Sequence, residues 1–396
     1  SGMGLSSRKY AGSRHGAVAR GRAYRGQAPA GSRKGRVQVA GKRLILFLSV
    51  CLWVAAAAPG GAETIRIATF NTELSRKGPG LLLRDILRGE DPQVDAVARV
   101  VSEVAPDILV LQGVDFDFGQ AALSALRDAI ARRGSHYPYL FALRPNSGWV
   151  SGLDLDGDGR LGEPEDNQGY GRFAGEGGMA ILSRYPIARD DVQDFSAQLW
   201  AELPDPSLPP ELAAQPAVTA VQRLSSVGHW VVPVRLGQGR LHLLSFHAAP
   251  PVFDGPEDRN GRRNDDEITF WRHYMDGAFG PAPKAGFVIV GDANLDPVDG
   301  EGRKAAIRGL LSDPRLVDPA PRRAGRVEKA GGHRGDPALD TVAWPGPEPG
   351  ALRVSYILPS VDLTVVASGV HWPPAGDPGA AVVEAASRHR VVWVAV

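Results

Sequence analysis

From Glu63 to the C-terminus, short apolar runs alternate with segments of helical periodicity, and this alternation constrains the fold more than any other feature. Ile65, Ile67 and Thr69 alternate along residues 64–70, as a half-buried strand does. Val94, Val97, Val101 and Val104 recur at helical spacing before Ala105-Pro106, and Ile108-Leu-Val-Leu111 then reads as a buried strand. Residues 120–132 read as a helix, and 139–143 and 179–182 as strands. Further strands are expected at 230–235, 241–246, 287–290, 352–358 and 391–396, and a helix at 265–275. Residues 145–176 form a Gly- and Asp-rich loop, and 203–216 a Pro-rich surface excursion. No repeat or linker divides residues 63–396, so one large α/β domain is expected. Trp149, Trp200, Trp230, Trp271, Trp344, Trp372 and Trp393 are scattered, without the spacing of a stacking surface.

The first 62 residues differ in kind. They carry 11 Lys and Arg and no Asp or Glu, which leaves 34 basic and 44 acidic groups, a net charge of −10, for the remainder. A basic stretch ending at Gly41-Lys42-Arg43 is followed by an apolar run from Leu44 to Ala58 and then Pro59-Gly-Gly-Ala62. Basic region, short apolar run and small residues form a secretory signal, predicting cleavage near Ala62 and a secreted or periplasmic product. The run is short for a spanning helix, although an uncleaved leader would anchor the chain in a membrane. Cys51, the one cysteine, lies inside that run, so the exported body would hold neither a disulfide nor a thiolate metal cluster. An acidic body supplies no general attraction to nucleic acid.

Several polar residues stand where apolar strands end. Asn71 and Glu73 follow the first strand, His247 follows Leu243-Leu-Ser-Phe246, and His389 precedes the last. Gly291-Asp292-Ala293-Asn294 places an acid and an amide two apart on a strand-to-loop turn, able to hold a water and an ester oxygen together. Each alone also has a structural reading, because Asn and Asp form turns and a lone His is more often structural.

Taken in order, these segments resemble the endonuclease/exonuclease/phosphatase family, the metal-dependent phosphoesterases related to pancreatic deoxyribonuclease, apurinic endonucleases and bacterial sphingomyelinases. The matching stretches are Ile67-Ala-Thr-Phe-Asn71-Thr-Glu73, Pro106-Asp-Ile-Leu-Val-Leu-Gln-Gly-Val-Asp115, Gly178-Met-Ala-Ile-Leu-Ser-Arg-Tyr-Pro-Ile187, Ser245-Phe-His247, the run from Gly291 to Pro297, Arg353-Val-Ser-Tyr-Ile-Leu-Pro-Ser360 and Ser387-Arg-His389. The resemblance implies a deoxyribonuclease I-like four-layer α/β-β/α sandwich of two mixed β-sheets. It implies Mg²⁺ or Mn²⁺ held by Asn71 and Glu73, with Asp292 activating water beside Asn294, and His247 and His389 flanking the phosphate. A hard cation on oxygen ligands would neutralise phosphate charge, while amide and imidazole donors hold the charge that develops in reaction.

The departures from the family pattern are as informative. Gly113 stands where the family carries a metal-ligating Glu, with Asp115 or Asp117 as nearby replacements. Ser355 replaces an Asp that orients the last histidine, and Arg388 replaces the Asp of a closing Ser-Asp-His. Restoring the three carboxylates together is expected to raise metal affinity, whereas Arg388 as it stands is expected to bind substrate phosphate as a fixed cation.

A further motif is independent of that family. Asp154, Asp156 and Asp158, Gly159, Leu161 and Glu165 occupy positions 1, 3, 5, 6, 8 and 12 of a calcium loop over residues 154–165. The three Asp and Glu165 would ligate Ca²⁺ through side chains and Arg160 through its carbonyl. Pro164 and the lack of flanking helices suggest a loop-stabilising ion rather than a sensor. Residues 254–264 read as a polar loop whose Arg259 and Arg263 would contact an anionic substrate, or else as a solvated charged loop. The leading expectation is an exported, monomeric phosphoester hydrolase, its substrate a nucleic acid, lipid headgroup or small phosphoester, with no protein partner. The alternative is a catalytically weakened relative that binds a phosphorylated ligand without turnover.

Overall fold

The computed structural model of the protein describes residues 64–396, apart from 326, 328, 330 and 346–348. The expected leader, Cys51 included, lies outside the described residues. Strand β1 (Arg66–Asn71) leads through α1 (Leu81–Arg88) and α2 (Pro92–Val104) to β2 (Ile108–Val114). Then come α3 (Ala121–Ala131), β3 (Tyr139–Phe141), β4 (Gly178–Ser183), β5 (Gln193–Asp194) and the single-turn helices α4 (Pro210–Ala213) and α5 (Pro216–Thr219). The hairpin β6 (Gly228–Leu236) and β7 (Gly239–His247) precedes α6 (Arg259–Met275), β8 (Phe287–Asp292) and α7 (Lys304–Leu311). The last third holds β9 (Val342–Ala343), β10 (Ala351–Leu352), β11 (Ser355–Pro359), β12 (Ala367–His371), α8 (Pro378–Ala386) and β13 (Val391–Ala395).

Two sheets result, in the orders β12-β13-β1-β2-β4-β3 and β11-β8-β7-β6-β5, with β9 and β10 a separate ribbon. Both sheets are mixed: β1 runs parallel to β2 and β7 parallel to β8, while the other pairings are antiparallel. Strand periodicity sorts the side chains into layers. Ala68, Phe70, Leu109 and Leu111 pack outward under residues of α1, α2, α3 and α8. Leu244, Phe246 and Ile289 pack outward against Ile268, Trp271, Ile307 and Leu310 of α6 and α7. Ile67, Val110, Ile181, Val232, Leu243, Val290, Ile357 and Val394 meet between the sheets. Each fully buried aliphatic side chain of this kind contributes about 1.5–3 kcal/mol. The architecture is the expected four-layer α/β-β/α sandwich.

Local chemistry explains where elements start. Asp91 caps α2, accepting from the Val94 amide at 2.9 Å, with Pro92 in the first turn, and the Val94, Val97, Val101 and Val104 stripe faces the sheet. Asp377 and Pro378 start α8 in the same way. Two expectations are corrected. The run 352–358 is not one strand: Asp296 Oδ2 accepts from the Arg353 amide, and Thr341 Oγ accepts from the Val354 and Ser355 amides, so the chain leaves β10 and enters β11 in another sheet. Helix α6 begins at Arg259 rather than 265, absorbing half of the polar loop. Its Arg263, Asp266 and Glu267 are buried and hydrogen-bonded, so charge there does not mark solvent. Helices α1, α4, α5, α7 and α8 and strands β5, β9 and β12 were not anticipated.

Candidate active site

The inward-facing rows of both sheets are apolar along most of their length and turn polar at one end. In β1 the row Ile65, Ile67 continues through Thr69 to Asn71, and in β2 the row Ile108, Val110 ends at Gln112. In β7, Leu241 and Leu243 give way to Ser245 and His247; in β8, Val288 and Val290 give way to Asp292; in β11, the row Ile357 ends at Ser355. Register aligns three of these ends, because Asp292 lies opposite His247 on one side and Ser355 on the other. Period-2 alternation therefore delivers polar side chains to a common edge of the sandwich, where burial demands that they pair with one another.

Asp292 is fully buried and central to this pairing. Its Oδ2 accepts from Asn71 Nδ2 at 2.9 Å across the gap between sheets, and its Oδ1 accepts from the Asn294 amide at 3.0 Å. His389 Nδ1 lies 3.3 Å from Oδ2. Asn294, in the left-handed region at φ 49°, turns its amide group to the Ala248 carbonyl at 2.9 Å and lies 3.4 Å from His247 Nε2. The structure thus brings Asn71, His247, Asp292, Asn294 and His389 into one cluster. Burial pushes the pKa of both imidazoles below the ordinary value, with the Asp292 charge opposing. Burial therefore works against the charged form of both rings. The Ser355 hydroxyl, where the family has an acid, is buried without a hydrogen-bond partner among the described residues, and Asp292 is the carboxylate beside His389 instead.

Glu73 stands at the rim in an ion pair. Its Oε2 accepts from Ser387 Oγ at 3.0 Å and the Arg388 amide at 2.8 Å, and its Oε1 accepts from Arg388 Nε at 2.8 Å and from Nη2. Burial works to raise its pKa, but the Arg388 hydrogen bonds and His389 hold it below the ordinary carboxylate value. Asn71 Oδ1 faces the Glu73 amide at 3.3 Å. Gly113 has φ +70°, and a Cβ there would lie 2.7 Å from Asn71 Oδ1 and 2.9 Å from the Glu73 amide nitrogen, so no carboxylate fits in its place. Neither nearby acid substitutes. Asp115 accepts from Ser75 Oγ and from the Arg76 and Gly177 amides, and Asp117 caps α3 through the Ala121 and Ala122 amides. A hard cation such as Mg²⁺ takes about six oxygen ligands, several of them waters, and is anchored by one or two carboxylates. Of the cluster's carboxylates among the described residues, Glu73 is paired with the Arg388 guanidinium and Asp292 is held by Asn71 Nδ2 and the Asn294 amide. The donor set does not fit the family's cation.

Two of the arginines expected to bind substrate are structural. Arg259 donates to the Leu155 carbonyl and to Gln222 Oε1. Arg263 is buried and donates to the Leu224, Gln168, Arg223 and Ser225 carbonyls, so both clamp the loops of residues 145–176 and 220–226. Arg388 does line the cleft. In the segment read as a calcium loop, carboxylate oxygens of Asp154, Asp156 and Asp158 lie within 4.8 Å of one another. The Gly157 and Gly159 amides donate to Asp154 at 2.6 and 2.8 Å. Glu165, however, is exposed and outside that group, and the side chain of Arg160 is exposed as well. The buried Asp166 accepts from the Leu155, Gly162 and Glu163 amides and closes the loop instead.

The cleft opens into a cavity of about 960 Å³ whose wall joins Glu73, Asn294, Arg388 and His389 to Asp340 and Trp344. Sequence reasoning missed the supports of this wall. Ser387 Oγ lies 2.8 Å from the Asn71 carbonyl, and Gln93 Nε2 lies 3.1 Å from the Thr72, Glu73 and Ala386 carbonyls, tying the end of α8 to the end of β1. It also missed His333, whose ring nitrogens lie 3.4 Å from Asp299 and 3.6 Å from the buried Asp340. Only Ser387 had a signal, its place two before His389. No helix among the described residues is long and apolar enough to cross a membrane.

A family model described as the Endonuclease/Exonuclease/phosphatase family matches residues 68–389. Among solved structures, an endonuclease/exonuclease/phosphatase from Beutenbergia cavernae is 16% identical, with 84% of this chain and 71% of that chain covered and a TM-score of 0.49. One from Bacteroides vulgatus is 14% identical over 84% and 98% of the two chains, TM-score 0.47. Sphingomyelinase C from Streptomyces griseocarneus is 18% identical over 84% and 99%, TM-score 0.43. These likenesses carry no argument about what this chain acts on. No curated protein matches the sequence.

Proposed function

The chain belongs to the endonuclease/exonuclease/phosphatase family, whose members hydrolyse phosphoester bonds, and we propose that its cleft cleaves a phosphate ester by direct attack of water. One observation carries this reading: Asp292, buried at the junction of the sheets, is oriented on both oxygens by Asn71 and Asn294, with His247 and His389 beside it. A carboxylate so fixed holds a water and takes its proton as the water oxygen bonds to phosphorus. The bond from phosphorus to the ester oxygen breaks, and the leaving alkoxide is protonated from solvent. The Asn294 amide group, the two imidazoles and Arg388 face the phosphoryl oxygens, whose charge grows in the transition state.

The family uses a divalent cation at this place, but here Glu73 is already held by the Arg388 guanidinium. In the same proposal, Ca²⁺ binds Asp154, Asp156 and Asp158 and stabilises the loop, and the leader directs export. The test is a panel of phosphodiesters and phosphomonoesters, assayed on the full chain with Mg²⁺, Mn²⁺ or Ca²⁺ and with chelator. An ester turned over by the wild type and slowed roughly 10²-fold or more by Asp292→Asn is the expected result. Turnover that survives Asp292→Asn, or no turnover under any condition, refutes it. In the second case, phosphate binding without hydrolysis makes the chain a receptor for phosphorylated ligands.

A further inference from the structure

We propose that the guanidinium of Arg388, seated on Glu73, is the resident cation of this cleft and holds the ligand's phosphate where the family places a divalent metal. The inference rests on reading the cleft as a phosphate site, but not on its being catalytic. Three observations carry it. The place of the missing carboxylate is closed by backbone geometry, since Gly113 is left-handed and a Cβ would meet Asn71 and the Glu73 backbone. The remaining ligand candidates are engaged, Asn71 with Asp292 and the Glu73 amide, Glu73 with Ser387 and Arg388. A positive charge is already there, donating two side-chain N–H groups and its own amide to Glu73.

The two solutions differ chemically. A divalent cation such as Mg²⁺ dehydrates reluctantly and is held by one or two free carboxylates together with waters and substrate phosphates. A guanidinium needs one carboxylate to hold it, and its planar fork still presents N–H donors to a second oxyanion. Arg388 keeps about half of its side-chain surface exposed while Glu73 is largely covered, so the free edge of the fork faces the cleft. Together with Asn294 and His389 on the same wall, it forms a pocket for a phosphate dianion or monoanion that requires no metal. The Glu73 charge fixes the guanidinium in place, so little side-chain entropy remains to be lost when phosphate binds.

The experiment measures inorganic phosphate binding to the full chain by calorimetry, with chelator and with Mg²⁺, and Mn²⁺ binding by electron paramagnetic resonance. Phosphate affinity is expected to be the same within about twofold in chelator and in Mg²⁺. Arg388→Ala is expected to weaken it roughly tenfold or more, the loss of a charge-assisted contact, and Arg388→Lys to recover part of it while confirming that the variant folds. Any Mn²⁺ bound at Asp154, Asp156 and Asp158 is expected to survive Glu73→Gln unchanged. A Mn²⁺ equivalent that disappears in Glu73→Gln overturns the proposal, as does phosphate binding that needs the cation or is absent with and without it. Failure of the hydrolase reading looks different: no ester is turned over, yet phosphate still binds in chelator through Arg388. Hydrolysis that appears only with added metal does the reverse.

Discussion

Gly113→Ala is expected to destabilise the protein by about 2–5 kcal/mol, although it adds a single methyl group. Gly113 sits at the irregularity in the β2–β4 pairing, between Leu111 and Val114, with φ +70°. An L-residue held left-handed costs about 1–2 kcal/mol. The new Cβ would lie 2.7 Å from Asn71 Oδ1, 2.9 Å from the Glu73 amide nitrogen and 3.2 Å from Glu73 Cα. Two of these three atoms are backbone and cannot rotate away, so overpacking adds about 1–3 kcal/mol. Relief requires moving Asn71, which loosens its hydrogen bond to Asp292. Gly113→Glu carries the same cost and brings a second carboxylate against Glu73. The triple restoration that sequence comparison suggested is therefore expected to lower stability rather than to rebuild a metal site. Urea unfolding of wild type, Gly113→Ala and Gly113→Glu measures this directly. An alanine variant within about 0.5 kcal/mol of wild type, or a glutamate variant that gains Mn²⁺ affinity without loss of stability, refutes the argument.

Arg263→Met should destabilise by roughly 3 kcal/mol, because it strips buried backbone carbonyls of their donor; if it instead weakened phosphate binding with stability intact, the arginine would belong to the substrate site after all. Burial, with Asp296 and Asp299 nearby and Arg323 opposing, pushes the Asp340 carboxyl up to about 7. The folded chain then holds a proton that the unfolded chain releases near pH 4, so this group makes stability fall as pH rises from about 4 to 7. Asp340→Asn should flatten that slope, and an unchanged slope in denaturation at several pH values would contradict it. Calcium should raise the melting temperature of wild type with concentration but not that of Asp154→Ala with Asp158→Ala; identical responses would place the ion elsewhere.

Much of the cleft was legible in the residues themselves. Apolar alternation marks a buried face, and a polar residue that closes such a row, as Asn71, His247 and Asp292 do, must either reach solvent or meet a partner. The ordered strand-end motifs added the family, and with it the sandwich. Local spacing also revealed the Asp154, Asp156 and Asp158 turn, because its hydrogen bonds join residues no more than five apart.

What local sequence does not contain is the occupancy of each polar atom by groups distant in the chain. Arg263 and Arg388 are both arginines in polar stretches, yet one is closed off by carbonyls of two loops while the other is held at the cleft by a carboxylate 315 residues away. Gly113 reads as a lost ligand, but the left-handed turn and the approach of Glu73, set by the pairing of β1 with β2, make it a position where a side chain has no room. Pairing between strands far apart in sequence sets those distances, and periodicity along one strand carries no information about them. The sequence thus places the polar ends of strands at one edge; the packing of two sheets against each other determines that Asn71 binds Asp292 and that Glu73 binds a guanidinium.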